Sequence, residues 1–567
     1  MMNVRKALWE DISAGIAAAC EAGDLHADAK KIPVLVKQTE GEAHGDYASP
    51  IALAIGKQAK KNPLEIVEVI VKHMPKKEYV EKIEAAAPGF LNITISTEYL
   101  AARMDDIPHE DACESCNIGN GKSVNMEFIS ANPTGPLTLG NARTAFSADT
   151  LANVFICAGY NVTREYYIND AGVQIQRLGE SVLRRILQQE GHKVAFADDL
   201  YQGEYISDIA KNIAEEFKET EQKTFTNKDL EDEELLARIS TIAMEACLAA
   251  IKKTIEDDLH IQFDIYSSER SVKDSGEIEQ VLTKLRKKEL TFKKDGAEFL
   301  QTTKFGDDKD RVIVKKDRTY AYITPDIAYH QNKFDRKFDL IFTFLGADHQ
   351  GHIPKLKAAL SALGNNIEVL HMVVAQFLAI TQAGKPVKLS KRKGNVYGPA
   401  ELIHEIGYDA ARFFMVQHAL QHHMVLDLDV AKEKSDANPV YYVQYAYVRL
   451  QSILRKAKEM GVPFADDAVS EISANVSLTN DSERALALAL HRFPEVVEDI
   501  ATTFAVHQLA FFAYDLARAI NVFYRDVPIL AEEDESLRLS RLQIALSARF
   551  VMAKTLDLLG ISKPDVM

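Results

Sequence analysis

The stretch between residues 124 and 152 constrains the fold of this chain more than any other. Apolar residues alternate along 124–128, and Pro133, Gly135 and Pro136 then interrupt the alternation. An apolar stripe at helical spacing follows over 142–152. A helix N-terminus after such a turn offers unpaired N–H groups and a partial positive charge to anions. The stretch therefore predicts a strand, a phosphate-binding turn and a helix.

A second segment, about 250 residues downstream, is a short basic run that ends at Gly394. Between positions 385 and 395 it contains no acidic residue. Its cations are Lys385, Lys388, Lys391, Arg392 and Lys393. A loop with this composition is suited to closing over a polyphosphate, because ionised donors bind phosphate oxygens strongly.

Together the two segments resemble the signature sequences of class I aminoacyl-tRNA synthetases. The resemblance extends to the arginyl-tRNA synthetases and runs along nearly the whole chain. Five further segments carry it, in the order and spacing of that family: 45–49, 166–172, 346–349, 438–445 and 559–562. Each segment alone is weak evidence for the resemblance, but the order and spacing of all five are specific to the family.

The first signature departs from the pattern of the family. The usual His-x-Gly-His tetrad is Thr138-Leu139-Gly140-Asn141 in this chain. A threonine hydroxyl and an asparagine amide can donate hydrogen bonds to phosphate, but neither can carry the charge of a protonated histidine. Tryptophanyl-tRNA synthetases look similar in using threonine and asparagine here, so the exchange is compatible with catalysis. A degenerate relative without catalysis is the alternative.

Composition indicates a globular protein with several cores. The chain has 567 residues, 47% hydrophobic and 26% charged, which suggests three or four domains. No apolar run approaches the roughly 18–20 residues of a membrane span, and the N-terminus is charged where a signal peptide would be apolar. We therefore expect a cytoplasmic protein without a membrane partner. The net charge of −16 argues against nucleic acid as a partner unless basic residues cluster locally.

The five cysteines do not form a disulfide framework in a chain of this length, so reduced thiols are expected. Cys113 and Cys116 lack a second pair at zinc-ribbon spacing. His349 and His352, three residues apart, lack a third and fourth ligand at recognisable spacing. The sequence therefore predicts no structural metal.

The order of the patterns predicts an α/β fold with a Rossmann-type parallel sheet. Residues 1–112 predict an N-terminal α+β domain, 113–432 the sheet domain with a helical insertion at about 192–265, and 433–567 an all-α helical bundle. The resemblance implies that the first domain contacts tRNA and that the bundle binds the anticodon. An aromatic stripe in the bundle could divide its members between core and base stacking: Tyr441, Tyr442, Tyr445 and Tyr447.

The resemblance implies an arginine pocket built from two segments. Its residues are Glu127, Ser130, Asn132, Tyr322 and Asp326. Glu127 lies in a strand that is covered on both faces, so its carboxylate requires a cation, which is either the substrate or an internal lysine or arginine. Thr324 as cap and Pro325 as first helical residue would place Asp326 in the first turn of a helix.

The resemblance also assigns residues to ATP. Thr138, Asn141, Lys388 and Lys391 are expected to be catalytic, because positioning and charge neutralisation dominate phosphoryl chemistry. The ATP-binding residues are expected to be Pro133, Gly140, Asn141, His349, Lys388 and Lys391.

The implied reaction is the ATP-dependent ligation of L-arginine to tRNA(Arg) through an arginyl-adenylate. Mg²⁺ would be bound with ATP, tRNA(Arg) is the macromolecular partner, and a monomer is expected. Two alternatives stay open. A non-catalytic tRNA-binding relative would keep the bundle and lose adenylation, whereas a nucleotidyltransferase of the same superfamily would keep adenylation and lose tRNA.

Overall fold

The structure, a computed structural model, forms two compact units. It describes residues 3–28, 31–39, 44–108, 113, 116–387, 397–462 and 475–567. The first unit comprises Met1–Ile118, Cys157–Gly159 and Ser435–Met567, and the second comprises Gly119–Ile156 and Tyr160–Lys434. In the part of the chain that is described, no helix is both long enough and apolar enough to cross a membrane.

The N-terminal part of the first unit is an α+β region around a four-stranded antiparallel sheet of order β1-β2-β4-β3. Asn62 caps the helix Pro63–His73 by accepting a hydrogen bond from the Leu64 N–H, and Pro63 is its first residue. The elements are α1 Val4–Glu21, β1 Lys37–Gln38, β2 Tyr47–Ser49, α2 Ile51–Ala59, α3 Pro63–His73, β3 Val80–Ala86, β4 Phe90–Ile95 and α4 Thr97–Ala102.

The second unit is built on a five-stranded parallel sheet of order β12-β11-β5-β6-β7. The chain runs outward from β5 through β6 to β7 and then returns to β11 and β12 on the other side of β5. The strand order therefore reverses at β5 and β11, whose carboxyl ends form the crevice where such sheets bind ligands. The predicted fold class is confirmed. The first elements are β5 Ser123–Glu127, α5 Leu139–Cys157, β6 Asn161–Ile168, α6 Val173–Gln189, α7 Glu204–Glu221, α8 Glu233–Lys253 and β7 Ile265–Ser268.

Between β7 and β11 the chain forms two helices, a three-stranded antiparallel meander of order β10-β9-β8, and a further helix. These elements are α9 Glu269–Asp274, α10 Glu277–Lys287, β8 Thr291–Lys294, β9 Ala297–Leu300, β10 Arg311–Val314, α11 Ile323–Asp335 and β11 Leu340–Gly346. The unit ends with α12 Ile353–Leu363, β12 Leu370–Ala375, β13 Leu378–Gln382, β14 Lys385–Pro386, α13 Pro399–Ile406, α14 Tyr408–Val416, β15 Met424–Asp427 and α15 Leu428–Lys432.

The expected insertion is helical. Helices α7 and α8 pack on α6 around an apolar core of their own. Gly179 of α6 allows the close approach to α8, because a Cβ at that position would lie 1.9 Å from the Ser240 hydroxyl. The insertion is thus a small helical bundle formed by α6, α7 and α8.

The C-terminal helices of the first unit form the expected bundle: α16 Pro439–Glu459, α17 Asp481–His491, α18 Phe493–Thr503, α19 His507–Asp526 and α20 Glu535–Leu559. The segment 45–49 packs against this bundle. The Arg484 guanidinium donates to both carboxylate oxygens of Asp46, at 3.0 and 2.7 Å. The Tyr47 hydroxyl, which is buried, donates to Glu495 at 2.8 Å. These contacts explain physically why the segment carries an acid followed by a tyrosine.

The expectation of reduced thiols is wrong for one pair of cysteines. Cys113 and Cys157 form a disulfide, with their Cα atoms 4.8 Å apart, whereas Cys20, Cys116 and Cys247 are not disulfide-bonded. The two bonded residues are 44 positions apart in the chain. Their proximity arises only when the chain has folded, so spacing in the sequence could not indicate it.

Candidate active site

The turn after β5 has a strained backbone. Ile129 and Ser130 adopt positive φ angles of 65° and 38°, which a β-branched residue such as isoleucine rarely takes. The turn brings the Ser130 hydroxyl within 2.9 Å of the Glu127 carboxylate, to which it donates, and it accepts the Tyr167 N–H at 3.1 Å. Ser130 therefore joins the carboxyl ends of β5 and β6, where ligands bind in this fold.

Two tyrosine hydroxyls form hydrogen bonds with the backbone of the following segment, residues 131–134. The Tyr166 hydroxyl donates to the Ala131 carbonyl at 2.9 Å, and the Tyr205 hydroxyl donates to the Thr134 carbonyl at 2.7 Å. Between these points Asn132 is exposed and Pro133 is buried. Asn132 is thus available to a ligand, and Pro133 contributes to the rigid support of the turn.

The two residues that replace the usual histidines contact each other at the start of α5. The amide oxygen of Asn141 accepts the Thr138 N–H at 2.9 Å and the Thr138 hydroxyl at 2.7 Å. Both bonds use the oxygen, so neither engages the NH₂ group of Asn141. Gly140, between them, is exposed. The first turn of α5 consequently presents amide donors where the sequence predicts phosphate.

Arg143, also in α5, was not singled out from the sequence. Its fully buried guanidinium donates to the carbonyls of Gln376, Ala419 and His422, each at 2.9 Å. Burial lowers the pKa of this guanidinium, and burial together with Arg143 lowers the pKa of His418. The side chain fastens the beginning of α5 to the residues before β13 and β15. Arginine among apolar residues gives no pattern from which this role could be read.

Glu127 has an internal partner. The Lys333 ammonium lies 2.5 Å from Oε2 of Glu127, and these side chains are 0% and 6% exposed. Oε1 accepts from Ser130, so both carboxylate oxygens are occupied. Of the two cations that the sequence left open, the internal lysine is present. Whether Glu127 also acts on arginine stays a prediction.

A second buried carboxylate adjoins this pair. Glu165 accepts from Asn125 at 2.6 Å, from Ser267 at 2.6 Å and from Arg336 at 2.7 Å. Burial alone would raise the pKa of its carboxyl, but Lys333, Ser267 and Arg336 outweigh burial and lower the pKa to about 2. The carboxylates of Glu127 and Glu165, with Lys333 and Arg336, therefore form a hydrogen-bonded network that joins β5, β6 and α11.

Asp326 lies in the first turn of α11, but the expected capping pattern is wrong. The helix begins at Ile323, so Thr324 and Pro325 are inside it. Thr324 does not cap the helix, because its buried hydroxyl donates to the carbonyl of Ile313 in β10 at 2.7 Å. A tertiary acceptor has taken the hydroxyl that the local pattern assigned to the backbone of the helix.

Tyr322 and Asp326 meet a histidine. Oδ2 of Asp326 lies 2.9 Å from Nε2 of His352, and the rings of Tyr322 and His352 are 5.9 Å apart in an edge-to-face arrangement. Tyr322 is 75% exposed, which leaves its face open to a ligand. His349 lies instead beside Asp348 at 3.5 Å. Across the described residues, no group of three His, Cys, Asp or Glu side chains could hold a metal ion.

Tyr167 and Glu269, which the sequence did not indicate as site residues, lie within electrostatic range of Asp326 or of each other. The buried Tyr167 hydroxyl has no hydrogen-bond partner among the described residues. Burial raises its pKa, and four carboxylates raise it further: Glu269, Asp326, Glu127 and Asp170. A hydroxyl without a hydrogen-bond partner, with carboxylates nearby, is complementary to a planar cation with several N–H donors.

The structure thus brings Glu127, Ser130, Tyr322 and Asp326 to one edge of the sheet. The start of α5 follows β5 at the same edge, and His349 follows β11 there. Lys388 and Lys391 lie outside the described residues, so their predicted position has no structural description.

Models of known families match the chain in three consecutive parts. The description "Arginyl tRNA synthetase N terminal domain" matches residues 7–95, "tRNA synthetases class I (R), catalytic domain" matches 106–451, and "DALR anticodon binding domain" matches 443–567.

Relatives named arginine–tRNA ligase match over 97–100% of their length. The protein of Carboxydothermus hydrogenoformans is 40% identical over 97% of both chains, and that of Bacillus subtilis is 39% identical over 100% of both. Among solved structures, a putative arginyl-tRNA synthetase of Campylobacter jejuni is 28% identical, with a TM-score of 0.73 over 83% of this chain and 100% of that one. The Thermus thermophilus arginyl-tRNA synthetase, 23% identical with a TM-score of 0.76 over 99% and 100%, shares the fold.

Family models along the chain and full-length relatives at about 40% identity agree with the crevice geometry, and the chain therefore belongs to the arginyl-tRNA synthetases, the class I ligases that join arginine to tRNA.

Proposed function

We propose that this ligase activates arginine at the carboxyl edge of β5 and β11 and then transfers it to tRNA(Arg). The observation that carries the proposal is the group of Tyr167, Tyr322 and Asp326: the Tyr167 hydroxyl has no hydrogen-bond partner among the described residues, and Tyr322 and Asp326 both contact His352. The pocket fits a guanidinium, and the helix N-terminus fits phosphates. The two reactants of adenylation would consequently meet at one edge of the sheet.

The guanidinium of arginine would take the place of His352 on Asp326 and receive the ring of Tyr322. A carboxylate that faces a planar fork can bind it through two N–H donors, which distinguishes arginine from lysine. Ser130 and Asn132 would hold the other end of the substrate, with Glu127 and Lys333 fixing Ser130 from below. This arrangement leaves the substrate carboxylate directed toward α5.

In the first step, a carboxylate oxygen of arginine attacks the α-phosphorus of ATP in line. The bond from this phosphorus to the bridging oxygen breaks, and pyrophosphate leaves. In the second step, a hydroxyl of the terminal ribose of tRNA attacks the arginyl carbonyl, and AMP leaves. Thr138, Gly140 and Asn141 would contact the phosphates, Pro133 and His349 would line the ATP site, and Lys388 and Lys391 would stabilise the leaving pyrophosphate.

Mg²⁺ would arrive with ATP. It is commonly held by substrate phosphates, waters and one or two carboxylates. When bound it would neutralise the charge of the phosphates. No protein residue is assigned to it.

Exchange of labelled pyrophosphate into ATP tests the proposal. With arginine and tRNA(Arg) present, we expect exchange, and we expect little without tRNA, as the resemblance implies. Exchange independent of any tRNA, with no charging, would support the nucleotidyltransferase alternative. Binding of tRNA without exchange would support the non-catalytic alternative.

Replacing Asp326 by asparagine should raise the KM for arginine about 10- to 150-fold, because a hydrogen bond to a charged group contributes about 1.5–3 kcal/mol. The KM for ATP should change little. Asp335→Asn provides a matched control on the same helix, since its carboxylate is 59% exposed and lies 3.7 Å from Lys284. Steady-state exchange kinetics give both constants. If the KM values for arginine and ATP rose together in Asp326→Asn, Asp326 would only stabilise the first turn of α11 and would not bind arginine.

The bundle offers aromatic side chains to unpaired bases. Tyr447 is buried in its core, whereas Tyr441 and Tyr445 are half-buried and stack at 5.8 Å. The Arg449 guanidinium lies over Tyr445 at 4.4 Å and over Tyr524 at 5.0 Å. Ring faces next to a guanidinium are typical platforms for bases. We propose that Tyr441, Tyr445 and Arg449 contact the anticodon loop, as the matched domain description suggests.

A monomeric state and a cytoplasmic location belong to the same proposal. Sedimentation at working concentration tests the first, and cell fractionation tests the second. A stable dimer, or recovery with membranes, would contradict the corresponding part.

A further inference from the structure

Two turns at one end of the β8–β10 meander lie against each other. The first is a two-residue hairpin loop, Asp295-Gly296, whose φ angles of 53° and 83° indicate a type I′ turn between the paired residues Lys294 and Ala297. The second spans residues 315–318, where the Arg318 N–H donates to the Lys315 carbonyl at 3.0 Å. A Cβ on Gly296 would lie 3.1 Å from Cγ of Lys316. The two turns therefore form one surface.

Cations dominate this surface, which we call the basic tip: Lys293, Lys294, Lys315, Lys316 and Arg318. All five are exposed, and within the described ranges none has a carboxylate partner at ion-pair distance. Of the nearby acids, Asp317 accepts from the N–H and hydroxyl of Thr319, and Glu298 accepts two bonds from Arg286. The same two turns also contain the exposed carboxylates of Asp295 and Asp317, so the basic tip has five cations against two acids. It is therefore a local excess of positive charge on a chain of net charge −16.

An aromatic pair lies on the same hairpin. Phe292 and Phe299, directly opposite each other in the β8–β9 pair, are half-buried and stack with centroids 5.4 Å apart and planes 15° apart. Alternation along the strand places them on the face opposite Leu300, which enters the core of the unit. They consequently form an apolar outer face beside the cations. Basic residues beside aromatic rings are typical of nucleic-acid surfaces.

The position of the tip in the chain indicates which part of an RNA it would meet. Arg318 is four residues before Tyr322, and Tyr320 bridges back to Val314 of β10. The tip therefore lies a short stretch of chain from the proposed arginine pocket. The part of tRNA that must reach this pocket is the arm that ends in the aminoacylated ribose.

We propose that the basic tip binds the phosphate backbone of the tRNA acceptor arm. The inference rests on the proposed function and adds a binding surface to it. The cations contact phosphates without reading sequence, and the Phe292 and Phe299 rings provide an apolar surface for the sugar edge of the backbone. Binding of this kind releases counterions, so its signature is a dependence of affinity on salt.

The test variant is the triple replacement Lys294→Ala, Lys316→Ala and Arg318→Ala in the full chain. The probes are a transcript of tRNA(Arg), a minihelix of its acceptor arm and its anticodon stem-loop, each titrated at several salt concentrations. For the minihelix, the slope of log K against log salt should lose about 2–3 units in magnitude, because each phosphate contact contributes about 0.7–0.9. Affinity at low salt should fall on the order of 10- to 100-fold. Binding of the stem-loop should not change.

A charge-matched control separates position from total charge. Lys193→Ala, Lys218→Ala and Lys228→Ala remove three exposed lysines from the insertion and leave the tip intact. This control should keep the slope of the parent. A third variant, Lys294→Arg, Lys316→Arg and Arg318→Lys, keeps the charge and should bind like the parent, which distinguishes lost charge from altered folding.

Equal losses in the test and control triples would overturn the proposal, since total charge would then explain the effect. An unchanged minihelix slope in the test triple would also overturn it. The proposed function can fail separately. A parent that binds the minihelix through the tip but exchanges no pyrophosphate would refute adenylation and leave the tip assignment supported.

Discussion

Replacing Lys333 by methionine should lower the free energy of unfolding by about 3–5 kcal/mol, because it leaves a buried carboxylate without its cation. The Lys333 ammonium is 0% exposed and lies 2.5 Å from Glu127. It also favours the ionised form of Glu165, whose pKa it helps to lower. Because methionine fills a volume similar to that of lysine, the decrease in the free energy of unfolding would come mainly from the lost charge and less from altered packing.

The pairing explains which second change should restore stability. Combining Lys333→Met with Glu127→Gln removes both charges and should recover much of the loss, since an apolar or neutral substitute for a buried pair is often tolerated. The exposed pair of Lys284 and Asp335, 3.7 Å apart, provides the control. Lys284→Met should cost less than about 1 kcal/mol.

The measurement must report on the second unit. Trp9 is the single tryptophan of the chain and belongs to the first unit, so its fluorescence would follow the wrong transition. Hydrogen exchange of peptides covering 123–128 and 323–335 would follow β5 and α11 directly. Unchanged exchange in Lys333→Met would show that the pair contributes little. The arginine KM of the double variant tests the predicted role of Glu127 in the substrate pocket.

The second large effect concerns the residues that replace the usual histidines. Thr138→Val combined with Asn141→Ala should raise the activation free energy of adenylation by about 2–5 kcal/mol, since removing one hydrogen bond to a charged phosphate costs about 1.5–3 kcal/mol. The change also removes the hydrogen bonds at 2.7 and 2.9 Å that join the two residues. Single-turnover rates of adenylate formation would measure the effect.

Thr144→Val is the matched control for this pair. Its hydroxyl donates to the Gly140 carbonyl at 2.9 Å, within the same helix, so its removal should affect the rate little. Histidine at both 138 and 141 should leave an active enzyme whose rate changes with pH near the imidazole pKa of about 6.5. A parent without exchange in the presence of tRNA would contradict the enzyme assignment and favour the non-catalytic alternative.

Local patterns predicted the elements that position the site. Alternation over 124–128 indicated β5, and the stripe after Asn141 indicated α5. Strands and helices depend on residues close to each other in the sequence, and the spacing of apolar residues therefore predicts them well.

Predictions that needed a distant partner were less successful. Thr324 has a capping pattern around it, yet its hydroxyl donates to Ile313 in β10. The carboxylate of Glu127 called for a cation, but nothing local identified Lys333, which is 206 residues away. His352 was considered as a metal ligand and instead pairs with Asp326.

The sequence by itself determined the family, the class of fold and the segments that carry the chemistry, because motif order and short-range periodicity are properties of neighbouring residues. Only the tertiary structure decided which charges pair, which hydroxyl stays free in the pocket, and that Cys113 meets Cys157. Such choices depend on distances across the folded chain. They also depend on burial, which makes an unpaired charge costly and so selects one partner among many in the sequence.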